Sequence, residues 1–118
     1  MADVARTIEE LPILKDEHVR LIHKTAVKEK AEEIAKTGLN YKQNCIIDQT
    51  VLAFADASDA ERYLRTGRTP YHSLFRHPGR FAVVLDVSFE EYRTHMNLVA
   101  APGIVPAECV VGIIESNL

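Results

Sequence analysis

The sequence predicts a single α+β domain, with two principal helices packed on a mixed or mainly antiparallel sheet, and three observations carry that expectation. "RFAVVLDVS" (Arg80–Ser88) is a near-continuous apolar run, the pattern of a central strand covered on both faces. Two segments, "TAVKEKAEEIAKTG" and "DASDAERYLRTG", set apolar residues at helical spacing between a capping residue and a glycine. The element order is β-α-β-α-β-β-β: helices come early and strands run together late, which suits helices laid on one sheet rather than a wound parallel fold.

Taken in order, residues 1–17 are polar around an embedded "LPIL", where Pro12 interrupts any helix, and they read as an N-terminal arm before a domain over 18–118. "VRLIH" (Val19–His23) is β-branched and aliphatic, a strand. Thr25 is placed to cap the following helix, Gly38 to end it, and Ala31, Ile34 and Ala35 share one helical face. The charges at Lys28, Glu29, Lys30, Glu32 and Glu33 form its solvated side. Leu39–Thr50 mixes turn formers with a short apolar trio, giving a loop with a short strand.

"VLAFA" (Val51–Ala55) fits a buried strand. Asp56, Ser58 or Asp59 then caps a helix with Ala60, Tyr63 and Leu64 on one side, stopped by Gly67. After the central strand, "FEEYRTHMNLVA" begins with a helical turn and finishes as a strand; Pro102-Gly103 turns the chain, and Cys109–Glu115 is the last strand.

With 118 residues the chain is of one-domain size, long enough to bury about two-thirds of the surface of its unfolded form. A content of 47% hydrophobic and 26% charged residues separates it from disordered and fibrous classes. A net charge of −3 and a pI near 5.9 give no global attraction to nucleic acid or an anionic membrane, so such a partner needs a local patch. Cys45 and Cys109 are too few and too far apart for a disulfide framework or a CxxC motif, which predicts two buried thiols. No apolar run reaches the length of a membrane span, and the acidic N-terminus does not resemble a signal peptide; the expected location is cytoplasmic, away from membranes.

The patch exists in Glu61–Arg80, where Arg62, Arg65, Arg68, Arg76 and Arg80 stand against the single acid Glu61. Guanidinium forks fit phosphate oxygens, and Tyr71, His72 and Phe75 add stacking surfaces, so a nucleotide or nucleic acid is one expected partner; ion pairing with neighbouring acids is the other reading of the same arginines.

Phosphate-loop, dinucleotide, HExxH and GxSxG motifs are all missing, and no two of the five histidines have the i, i+4 spacing of a helical metal site. What remains is an ordered set of weaker pieces: His23-x-Thr25 ending a strand, a helix ending "IAKTGL", "TVLAFA", "AERY", "VVLDV" and "PGIVPAECVVGI". In that order and spacing, from Val19 to Ile114, they resemble the ADP-ribosyltransferase-like fold, in particular its small bacterial members.

The resemblance implies an NAD-binding protein that transfers ADP-ribose to a protein or nucleic acid acceptor. It implies that His23 donates to the nicotinamide-side ribose with help from Thr25, and that Tyr63 stacks on nicotinamide beside Phe54. Arg62 and Arg65 would steer phosphates. The family's catalytic glutamate falls on Asn97 or Leu98, neither ionisable, so the resemblance implies an impaired transferase, an acceptor-assisted one, or a module that binds without reacting. Glu108 matches a structural position, and Glu90 and Glu91 are further acids nearby in the chain. Read without the resemblance, Tyr63 is a core aromatic of an amphipathic helix, His23 a satisfied strand-end histidine, and Thr25 a helix cap.

Overall fold

The structure, a computed structural model, describes residues 4–40, 52–67, 80–95 and 104–115. Its frame is an antiparallel sheet of four strands: β1 (His18–Thr25), β3 (Leu52–Phe54), β4 (Phe81–Ser88) and β6 (Val110–Glu115), in the order β3-β1-β4-β6. A separate antiparallel pair joins β2 (Leu39–Asn40) to β5 (Ile104–Val105). Three α-helices are described: α1 (Lys28–Thr37), α2 (Ala57–Thr66) and α3 (Phe89–His95).

β4 is central, as its apolar run predicts: it pairs with all eight residues of β1, from His18↔Ser88 to Thr25↔Phe81, and with β6 on its other side. Side chains alternate across the sheet, so Val19, Leu21, Val83, Leu85 and Val87 enter the core beneath α1, with Ala31 and Ile34 of the helix and Leu39 and Val105 of the small sheet. Ile22, Ala82, Val84 and Ile114 enter the other core, beneath Ala60, Tyr63 and Leu64 of α2. Each helix therefore covers one face of the same sheet.

The glycine stops hold. Gly38 ends α1 at φ 92°, its N–H on the Ile34 carbonyl at 2.7 Å, and Gly67 ends α2 in the left-handed region at φ 74°, its N–H on the Tyr63 carbonyl at 2.8 Å. A methyl at Gly38 would strike the Val105 carbonyl oxygen, so glycine also lets α1 close on the small sheet. Asp56 is the cap of α2, its Oδ1 accepting from the Ser58 N–H at 2.7 Å.

Two expectations are corrected and a third is extended. Thr25 is the last residue of β1 rather than a helix cap: α1 begins at Lys28 after an uncapped Val27, and the Thr25 hydroxyl stands 3.5 Å from the Val27 nitrogen, at the limit of a hydrogen bond. The full ladder to β4 holds this β-branched residue extended. Val51–Ala55 contains an edge strand, with Leu52 and Ala53 half-buried, because among the described residues β3 pairs with β1 alone. The helical turn expected after β4 runs on to a helix of seven residues, α3, opened by a capping box in which the Ser88 hydroxyl accepts from the Glu91 N–H at 3.1 Å and the Glu91 carboxylate accepts from the Ser88 N–H at 3.3 Å; the strand expected to finish that segment lies outside the described residues.

The N-terminal segment lies along the domain as a strap. Ala5 makes a parallel bridge to Gly112, with its N–H on the Val111 carbonyl and its carbonyl on the Ile113 N–H, both at 2.9 Å. This falls where β6 carries an extra residue, since Val84 pairs with Gly112 but Leu85 with Val110. Arg6 then pairs with Glu32 of α1 at 2.7 Å, and Glu9, in a 3-10 turn over Ile8–Glu10, pairs with Arg65 of α2 at 2.9 Å. The strap thus ties the two helices together around the edge of the sheet. Among the described residues no helix is long and apolar enough to cross a membrane.

Candidate functional site: the His23 and Thr25 face of β1

The alternation of β1 sorts the residues singled out in the sequence. His23 lies opposite Val83 and Thr25 opposite Phe81, on the α1 side with Val19 and Leu21. His23 is 1% exposed and Thr25 is buried. An imidazole and a hydroxyl two residues apart on one strand face stand side by side, a donor pair at the end of a central strand, on the side to which the small sheet packs.

Tyr63 and Phe54 lie on the opposite side. Tyr63 is 2% exposed and its ring centre is 5.6 Å from that of Phe54 at an interplanar angle of 31°. Lys24, the residue between His23 and Thr25, points to this face and holds Nζ 5.8 Å from the Tyr63 ring centre. Burial pushes the Tyr63 phenol up to about 12. The structure therefore does not bring His23 and Tyr63 together around one ring, and Tyr63 with Phe54 is the core pair of α2 rather than a stacking platform. Period-2 alternation in β1 could not reveal this, because the side on which α2 docks is not written in its own sequence.

Arg62 is exposed on α2, and Arg65, on the same helix, donates to Glu9 at 2.9 Å and Glu61 at 3.3 Å. Both belong to the helix that covers the sheet face opposite His23. Arg80 pairs with Glu115 at 3.1 Å. Ion pairing thus accounts for two of the patch arginines, through exposed bridges that solvent screens. Arg68, Arg76, Tyr71, His72 and Phe75 lie outside the described residues, as do Cys45 and the Asn97 and Leu98 positions assigned to the family's glutamate.

Of the other acids, Glu108 is exposed in the 3-10 turn Ala107–Cys109 before β6, and Glu91 is engaged in the cap of α3. The Cys109 thiol, half-buried beside them, is pushed up to about 11, first by burial and then by the charges of Glu91, Glu108 and Asp86.

Two charged residues on the α2 face escaped the sequence reading. Arg20 is 5% exposed and makes a two-bond pair with Asp86 of β4, Nε to Oδ1 and Nη2 to Oδ2, both at 2.8 Å; Nη2 also donates to the Pro12 carbonyl at 2.6 Å. Lys24, 7% exposed, has no carboxylate partner among the described residues. The signal for the first was the single acid inside "VVLDV", which demands a cation on a neighbouring strand.

Comparison with family models, with curated protein sequences and with solved structures returned no match.

Proposed function

We propose that the protein is an ADP-ribosyltransferase-like domain that binds NAD from the α1 side of its large sheet, through His23 and Thr25. The observation that supports this reading is the pairing of those two side chains on one face at the end of the central β1 strand, on the side where the small sheet packs. An imidazole and a hydroxyl can both hydrogen-bond the vicinal hydroxyls of a ribose. In this reading Tyr63 holds α2 in place and the α2 arginines face a separate partner, a protein or nucleic acid acceptor met from the other side of the sheet.

A second reading, a domain that binds the nucleotide without turning it over, is favoured by Asn97 at the position the resemblance assigns to a glutamate. An amide cannot offset positive charge growing on the ribose as a carboxylate does.

Thermal unfolding with NAD and with ADP-ribose tests binding. A ligand at 100 times its Kd stabilises the folded state by about 2.7 kcal/mol, and His23→Gln should cancel that shift while its own melting stays cooperative. Absence of a shift in the parent protein overturns the NAD site. Where the shift is present, nicotinamide release over hours separates the two readings.

A further inference from the structure

A cavity of about 220 Å³ lies between the strap, β1 and the first turns of α2, lined by Ile8, Leu11, Arg20, Ala57, Ser58, Glu61 and Leu64. It is on the face opposite His23 and belongs to no part of the NAD reading. We propose that this cavity binds a small organic carboxylate with an apolar body.

The cation of the site is Arg20. Its Nε and Nη2 are engaged by Asp86 and the Pro12 carbonyl, while Nη1 has no acceptor among the described residues. A buried guanidinium nitrogen with unused N–H bonds is costly to leave unsatisfied, and Arg20 is on the cavity wall. Asp86 locks the guanidinium plane, so the remaining donor is held in place before any ligand arrives.

Two further donors are close. Ser58 contributes a hydroxyl from the first turn of α2, and the Asp56 cap takes the Ser58 N–H but leaves that hydroxyl and the opening N–H of Ala57 for another acceptor. The positive end of the helix backbone adds to the same side. The residues on this wall thus carry three kinds of donor, suited to an acceptor-only group.

The remaining wall selects among anions. Ile8, Leu11 and Leu64 supply an apolar lining for the ligand body. Glu61 supplies a carboxylate that Arg65 only partly neutralises across 3.3 Å, so a phosphate dianion is repelled more strongly than a carboxylate monoanion. The strap forms one wall through Ile8 and Leu11, and its Pro12 carbonyl shares Nη2 with Asp86; a bound ligand therefore also fastens the strap.

Amide chemical shifts on the full chain test this, with benzoate, phenyl phosphate and benzamide as probes. Benzoate at millimolar concentration should move the amides of Ser58, Leu64 and Leu11 together and saturate. Ser58→Ala should weaken it about tenfold, the loss of one hydrogen bond to a charged group, and Glu61→Gln should tighten it. Both changes are at exposed positions of α2 and leave the fold intact. Ser58→Leu, which fills the mouth, should abolish binding. No saturable benzoate response, or an equal response in Ser58→Leu, overturns the site. Benzamide binding as well as benzoate overturns its anion character, and phenyl phosphate binding more tightly than benzoate overturns the carboxylate preference.

Discussion

His23 and Tyr63 stand on opposite faces of one sheet, because β1 presents His23 beneath α1 and turns its neighbour Lys24 onto the Tyr63 ring beneath α2. Any ligand held by His23 is therefore out of reach of the Tyr63 ring. Tyr63→Phe should leave nucleotide binding at the parent value, while His23→Gln should remove it; isothermal titration with ADP-ribose reads both. Equal losses in the two variants would restore a shared pocket.

The Arg20–Asp86 pair spans two central strands, with both side chains largely withdrawn from water. Removing one partner strands a buried charge, so Asp86→Ala should cost about 3–5 kcal/mol in denaturant unfolding. Replacing both by Met and Leu should return most of that loss, since well-packed apolar residues fill the same space without desolvating ions. A double variant as unstable as Asp86→Ala would mean that the Pro12 carbonyl, also bonded to Arg20, is the greater contribution.

Lys24 carries the opposite defect, a buried ammonium whose described neighbour is an aromatic face. The charged and titratable groups on that side are Arg20 on β1, Asp86 on β4, and Tyr63, Glu61 and Arg65 on α2; Asp86 is engaged by Arg20 and Glu61 by Arg65, and among the described residues no carboxylate pairs with Lys24. Desolvation lowers its pKa below the ordinary lysine value of 10.5. The unfolded chain then binds more protons than the folded one between the lowered value and 10.5, so stability rises with pH across that window. Below it the penalty is present in full. Lys24→Met should raise the melting temperature at pH 7, and the advantage should shrink as pH approaches 10.5; a gain independent of pH would assign the effect to packing.

Cys109 should behave as an inert thiol. With its pKa pushed up to about 11, the thiolate is scarce at neutral pH, and iodoacetamide should label the Cys109 peptide slowly at pH 7. The rate should climb roughly tenfold per pH unit until near 11, and Glu91→Gln should move that rise to slightly lower pH. Peptide mass spectrometry reads Cys109 separately from Cys45.

Much of the frame was legible because it depends on local chemistry. The apolar run of β4, the glycines after α1 and α2 and the Asp56 cap each specify their own surroundings, and each is where the sequence places it. The Ser88-x-x-Glu91 box was equally local and was read only as a helical turn. The candidate site was legible in its residues but not in its grouping. Which face of β1 receives α1 and which receives α2 is decided by the path of the chain between elements, and that is a property of the whole fold. The reach of β1 to Thr25 was lost for the same reason: its partner Phe81 lies far along the chain.

The contact between Ala5 and Gly112 joins points nearly a whole chain apart. The large sheet is itself built from partners distant in sequence, so the edge closes only after most of the loop-closure entropy has been spent. Docking of the strap therefore depends on a formed sheet edge, and the links it makes to α1 through Arg6 and to α2 through Glu9 depend in turn on β6 being in place.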